Sequence, residues 1–155
     1  NTTMNSPQHD PSFHPEGSAE NCLFCKIVAD QVPASKVYED DETLAFLDIA
    51  PNNPGHALVI PKSHFENVYS TPPEIWARVM LTAQKMAIAI KQAVDADGIN
   101  IHVNNEAAAN QLIMHSHVHV IPRHNDDGLP KWQGKPISAE DNAKVQEDLK
   151  RVLAE

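Results

Sequence analysis

Three histidines stand at alternate positions in His115-Ser-His117-Val-His119-Val-Ile-Pro122, and the chain's only two cysteines stand in Cys22-Leu-Phe-Cys25. An imidazole titrates near neutral pH and serves as nucleophile, hydrogen-bond donor, proton carrier or metal ligand. If the segment is a strand, successive side chains point to opposite faces. All three imidazoles then share one face, and Met114, Ser116, Val118 and Val120 share the other. With a rise of roughly 3.3 Å per residue, neighbouring imidazoles start about 6.6 Å apart and the outer pair about 13 Å apart. One metal ion does not easily take all three, whereas an extended phosphate ligand suits the row. A zinc-binding pair with a third, incidental histidine is the competing reading. The cysteine pair is open in the same way. Cys-x-x-Cys serves redox chemistry or half of a metal site, and two reduced, unligated thiols are the bland alternative. A redox motif belongs near a strand-to-helix βαβ unit, which is not evident here. Structural zinc takes four Cys or His ligands.

The elements that must position these residues are legible in outline. Asn1–Glu20 is polar and punctuated by Pro7, Pro11, Pro15 and Gly17, which reads as a flexible tail carrying His9 and His14. Cys22–Val28 suits a short helical turn. Lys36–Glu39 and Thr43–Leu47 read as strands joined by Asp40-Asp41, and His56–Pro61 as an apolar strand after the loop Asp48–Gly55. Thr71 three residues before Glu74, with prolines between, predicts an N-cap and a long helix through Ile75, Val79, Met86, Ile90 and Val94, stopped by Gly98. Gly98–Val103 and Met114–Pro122 are expected strands, joined through Asn104–Asn110. Ser138–Leu153 closes the chain as a helix, with Ser138 and Asp141 at capping spacing and Val145, Leu149 and Val152 on one face. Strands on both sides of one long helix, with short connections, predict an α+β class with a mainly antiparallel sheet. The expected organisation is a tail over residues 1–20 and one domain over residues 21–155.

Composition narrows the possible partners. A chain of 155 residues with 12 Lys+Arg against 21 Asp+Glu and a formal charge of −9 suits one compact domain. The acidic balance disfavours broad contact with nucleic acid or anionic membranes. No apolar run reaches the length of a membrane-spanning helix, and the N-terminal stretch does not read as a secretory signal. Two cysteines exclude a multi-disulfide scaffold, so a cytoplasmic location is expected.

The histidine segment fits His-φ-His-φ-His-φ-φ, where φ is apolar and Ser116 is the one soft mismatch. It resembles the signature of the histidine triad (HIT) superfamily. Cys22-Leu-Phe-Cys-Lys-Ile, Val37-Tyr-Glu-Asp-Asp, Ala45-Phe-Leu-Asp-Ile, Gly55-His-Ala-Leu-Val-Ile-Pro-Lys62, His64, Asn104 and Gln111 extend the likeness across roughly residues 21 to 125. The pattern is most similar to the zinc-containing, HINT-like nucleotide-binding branch. The resemblance implies a HIT-like fold and a hydrolase or nucleotidyl transferase. Such an enzyme releases a purine nucleoside monophosphate, such as AMP, from phosphoramidates or dinucleoside polyphosphates through a nucleotidyl-histidine. His117 then corresponds to the nucleophile, its other nitrogen expected on a backbone carbonyl near the Gly55-His56 strand start. His119 corresponds to a phosphate ligand, with His56 close to the triad. Gln111 would hold the phosphate or leaving group, Asn104 would donate to a phosphate oxygen, and Asp48 would accept from the ribose hydroxyls. Phe46, Phe24 and Ile27 match the base-contacting positions, although Phe46 and Ile27 taken alone are ordinary core residues.

The resemblance also implies structural zinc held by Cys22, Cys25, His64 and His115. It further implies a homodimer that extends the sheet and pairs the long helices. Trp132 would approach the partner's site or pack on its own chain, with Lys131 and Lys135 nearby. Three positions depart from the pattern: Asn110 precedes Gln111 where glycine is common, Leu112 follows where a hydroxyl is common, and Glu106 stands where glycine is frequent. The alternative function is a nucleotide-binding or interaction module with little turnover. A metal-dependent hydrolase using the triad as ligands is a third reading.

Overall fold

A computed structural model describes residues 19–155; His9, His14 and most of the expected tail lie outside the described residues. Ala19–Asn21 forms a 3-10 turn leading into α1, Leu23–Val28. Five strands follow: β1 (Lys36–Glu39), β2 (Thr43–Leu47), β3 (Ala57–Pro61), β4 (Gly98–His102) and β5 (Val118–Arg123). They form one sheet in the order β1-β2-β3-β5-β4, every neighbouring pair antiparallel. α2 (Pro73–Ala93) connects β3 to β4, and α3 (Ala139–Leu153) follows β5. The class is α+β, as the pattern of elements predicts.

Alternation along the strands divides the interior in two. Ala45, Ala57, Val59, Val118 and Val120 face α2, where Val79, Ala83, Met86 and Ile90 close over them. Leu44, Phe46, Leu58 and Ile60 face the other way, onto Cys22, Phe24 and Ile27 of the N-terminal segment. The inner strands β2, β3 and β5 are therefore buried on both faces and read as nearly continuous apolar runs, whereas the edge strands β1 and β4 are part-exposed. α2 is 21 residues long but amphipathic. Among the described residues, no helix is long and apolar enough to cross a membrane.

Three local expectations are corrected. Pro72, not Thr71, caps α2, and no side chain caps it. The Thr71 hydroxyl instead reaches the Asn67 carbonyl (2.7 Å) and Ser116 Oγ (3.0 Å). That buried pairing accounts for a serine among the apolar positions of the triad segment, because a buried hydroxyl needs a partner. α2 ends at Ala93 with Val94 as its cap, and the reversal uses Asp95 at φ 51°. Gly98 is left to open β4 rather than stop the helix. Finally, β5 begins at Val118 rather than Met114, so His115 and His117 precede the strand, yet the alternation persists. Ser116, Val118 and Val120 lie towards α2, and the three imidazoles lie on the opposite side, beside Phe24 and the cavity. The capping prediction at α3 holds: Ser138 Oγ accepts from the Asp141 N–H at 3.1 Å.

Candidate active site

The stretch before β5 is irregular because its backbone is engaged outside the sheet. The Ser116 N–H donates to the Phe65 carbonyl at 2.7 Å. His115 therefore turns into the N-terminal segment. Its Nε2 lies 2.8 Å from the Pro61 carbonyl, an acceptor that places the proton on Nε2 and leaves a lone pair on Nδ1. That Nδ1 lies 3.4 Å from Cys22 Sγ, 3.5 Å from Cys25 Sγ and 3.3 Å from His64 Nδ1; His64 Nδ1 and Cys25 Sγ are 3.4 Å apart. The ligand atoms of Cys22, Cys25, His64 and His115 all lie within 4.8 Å of one another. A tetrahedron built on Zn–N of about 2.0 Å and Zn–S of about 2.3 Å has edges of about 3.3–3.8 Å, so these four donors fit a zinc ion. The thiols are asymmetric: the neighbouring Cys25, followed by His115 and His64, holds Cys22 well below an ordinary thiol against the opposing effect of burial. Cys25 is pushed up by Cys22 and by burial.

Two residues on, His117 is 5% exposed. Its Nδ1 lies 2.7 Å from the His115 carbonyl, a local partner rather than the carbonyl near Gly55-His56 that the sequence suggested. A carbonyl only accepts, so the proton sits on Nδ1 and the Nε2 lone pair is free. Burial keeps this ring below the usual imidazole range, partly opposed by the bond to the His115 carbonyl. Phe24 packs edge-on against it, the ring centroids 5.2 Å apart.

His119 sits on β5, opposite Leu58 of β3 and His102 of β4. Its Nδ1 is 2.9 Å from His56 Nε2. His56 Nδ1 accepts from the Asn52 N–H at 3.1 Å, which leaves the proton of His56 on Nε2, directed at His119 Nδ1. His119 then carries its own proton on Nε2. Two backbone groups, the Asn52 N–H and the His115 carbonyl, thus set the tautomers of three imidazoles. Burial, and then the neighbouring His117, His102 and His56, depress His119 to about 3. Gly55 prepares His56: its φ of +99° is a glycine conformation, and a Cβ there would meet Val94 Cγ1 at 3.0 Å. Asp48 Oδ2 lies 3.7 Å from His56 Nε2. Asp48, His56 and His119 are also close enough to share an ion. Ligation through His56 Nε2 would, however, move its proton to Nδ1 against the Asn52 N–H, so this trio is built for hydrogen bonding.

His117 and His119 line a cavity of about 330 Å³ with Asp48 and Asn104, and its walls include Phe24, Ile27, Phe46 and Leu58. Asp48, Phe46, Phe24, Ile27, Asn104, His117 and His119 are therefore brought to one place, with His56 behind them. Asn104 Nδ2 donates to the Asn110 carbonyl. Gln111 is not on the cavity wall, a correction with a clear cause. It is 3% exposed, its Oε1 accepts from the Glu106 N–H, and its Nε2 donates to the Glu66 and Ile113 carbonyls. Both amide protons are committed, leaving no donor for a phosphate. Leu112 projects into solvent at the cavity rim, and Asn110 takes the left-handed conformation, φ 70°, that glycine would otherwise supply. Trp132 is exposed on its own chain.

Sequence reasoning missed His102. It is half-buried on β4, its ring 4.8 Å from that of His119, and burial lowers its pKa. No local signal marked it, since only the observed β4–β5 register sets it across from His119.

Comparison with known proteins identifies the family. The HIT domain family matches residues 29–126. The Protein hit of Bacillus subtilis (strain 168) is 47% identical over 140 residues, covering 88% of this chain and 97% of that protein. The adenosine 5'-monophosphoramidase hnt1 of Schizosaccharomyces pombe is 37% identical over 131 residues, covering 83% and 96%. Among solved structures, a Zn-bound histidine triad family protein from Mycobacterium smegmatis superposes with a TM-score of 0.70 at 38% identity, covering 88% of this chain and 99% of that one. With a matching domain over most of its length and relatives similar nearly end to end, the chain belongs to the HIT family, in its HINT-like branch.

Proposed function

We propose that this protein is a nucleotide hydrolase or nucleotidyl transferase that releases a nucleoside monophosphate, AMP foremost, from phosphoramidates or dinucleoside polyphosphates. The observation that carries the reading is the fixed tautomer of His117, whose Nε2 lone pair is free on a cavity that combines a carboxylate with aromatic and aliphatic walls. Phe24, Ile27 and Phe46 supply the apolar surface for a purine, and Asp48 accepts from ribose hydroxyls. His117 Nε2 attacks phosphorus and the bond to the leaving group breaks, the leaving group taking up a proton from solvent. Water then attacks the phosphorus of the adduct and gives a proton back to solvent, the bond to Nε2 breaks, and His117 and the monophosphate are released. Two easier steps replace one hard one. His119 offers its Nε2–H to a phosphate oxygen as charge develops, with His56 fixing that orientation. Asn104 stands at the same wall as a second donor, and Gln111 keeps the loop in shape. The phosphoramidase activity of the fission yeast relative supports the substrate class.

Cys22, Cys25, His64 and His115 would hold zinc. With four protein ligands the ion supplies no open position for water, so its contribution is to tie the N-terminal segment to the catalytic stretch. The outward residues Leu81 and Ile88 of α2 and Ile101 of edge strand β4 are exposed, which supports the homodimer implied by the resemblance.

The test is AMP release from adenosine 5′-phosphoramidate, an adenylyl-lysine analogue and diadenosine tetraphosphate, with wild type beside His117→Ala. Release by wild type alone, with an unchanged melting temperature in the variant, is the expected result. AMP binding without product from any substrate would replace the enzyme reading by that of a binding module, which the exposed apolar Leu112 at the rim would then explain.

A further inference from the structure

His102 has no part in the reaction as set out above, yet of the three imidazoles around His119 it lies nearest. The centroid distances are 4.8 Å to His102, 5.0 Å to His117 and 5.2 Å to His56. The contact follows from the sheet: β4 and β5 pair with His102 directly across from His119, and directly opposed residues lie on the same face. The two ring planes are inclined by 39°, so one ring lies obliquely against the other. Among the described residues His102 makes no side-chain hydrogen bond, and it is not part of the cavity wall. Its ring contact with the site is made with His119.

His119 needs such a neighbour. Of its two ring nitrogens, Nδ1 has one partner, His56, and Nε2 is left for the phosphate. A single in-plane bond does not prevent rotation about the bond to the ring, which would take Nδ1 off His56 and Nε2–H off the cavity together. A second imidazole against the open face blocks that rotation. The titratable groups that interact with His102 are His119 and His117 from the β5 side and His56 from the β2–β3 connection. Burial holds His102, His56 and His119 below their ordinary range, so the contact is one between neutral rings.

We propose that His102 is a positioning residue for His119: its ring closes the outer face of that imidazole and keeps Nδ1 on His56 and Nε2–H on the cavity. The catalytic consequence rests on the function proposed above; the orientation does not. An aliphatic side chain would fill the space without presenting a plane, whereas phenylalanine would keep the plane and lose the nitrogens.

His102→Leu and His102→Phe separate the two properties. With adenosine 5′-phosphoramidate, the Leu variant is expected to lose about tenfold in kcat with KM within about twofold, since misoriented groups at a phosphoryl centre cost rate before affinity. The Phe variant is expected to return to within about threefold of wild type, and thermal melting places both variants among folded proteins. Long-range ¹⁵N–¹H spectra of the imidazoles give a readout independent of turnover. His119 should be a single Nε2–H tautomer in wild type and the Phe variant, and a mixture in the Leu variant. Wild-type kcat and a single tautomer in the Leu variant would overturn the proposal, as would a Phe variant as slow as the Leu variant. Should wild type itself release no AMP, the functional reading falls alone, and the tautomer spectra still decide the role of His102.

Discussion

Replacing Glu106 by glycine should make this protein more stable. Glu106 has φ 72° and ψ 162°, a region populated almost only by glycine and costing other residues about 1–3 kcal/mol. Three backbone-directed bonds impose it. The Glu106 N–H donates to Gln111 Oε1 at 2.8 Å, and the Glu106 carbonyl accepts from the Ala109 and Gln111 N–H groups at 3.1 and 3.0 Å. None of these uses the Glu106 side chain, so glycine keeps all of them while removing the Cβ that makes the conformation unfavourable. Glycine loses about 0.5–1 kcal/mol through the greater freedom of its unfolded state. Taking the middle of each range, the balance is a gain of about 1 kcal/mol, which for a chain of this size raises Tm by about 2–4 °C. Calorimetry, with urea unfolding at an unchanged m-value, measures it. Glu106→Ala is the control: it removes the charge but keeps the Cβ, and should gain nothing. A glycine variant that melts no higher than wild type would refute the strain argument. An alanine variant that matches it would assign the gain to charge.

Two further outcomes follow from the site. His56, His102 and His119 are held below the free imidazole value, His119 at about 3. Below about pH 6.5 the unfolded chain therefore binds protons that the folded chain refuses. Stability is full above that pH and declines as pH falls from 6.5 towards 3; a Tm that stays level between pH 7.5 and 5, or a decline unaltered in His119→Gln, would contradict the assignment. For the four-ligand group, a strong chelator should lower Tm and zinc should restore it, with a difference of about 4 kcal/mol at free metal a thousandfold above Kd. Cys22→Ser should abolish the response, and a purified protein without zinc whose melting ignores both chelator and metal would remove the metal from the account.

Much of the site was readable because its signals are local. Apolar runs bounded by acidic turns and prolines mark β1, β2 and β3, and the spacing of Ile75, Val79, Met86 and Ile90 marks α2. Those patterns arise from neighbours along the chain and from one buried face, and the structure agrees with them. The glycine habit of position 106 also has a physical basis now, in a backbone conformation that glutamate adopts under strain. What failed was the extent of the strand. Alternation puts His115, His117 and His119 on the side away from α2, as the contacts with Phe24 and the cavity bear out, but pairing begins only at Val118, because the Ser116 N–H is drawn to the Phe65 carbonyl from a segment 51 residues earlier.

Residue types and spacing, read with the family resemblance, thus named the candidate groups: an imidazole nucleophile, a carboxylate for hydroxyls, a two-cysteine, two-histidine ligand set. Tertiary structure decided how each is used, because an imidazole's chemistry depends on which nitrogen carries the proton. That choice is made here by the Pro61 and His115 carbonyls and the Asn52 N–H. Gln111 lost its expected place at the phosphate to its backbone partners: the Glu66 carbonyl and the nearby Ile113 carbonyl took both of its donors. His102 joined the site because β4 pairs with β5 in a register that no pattern within either strand contains.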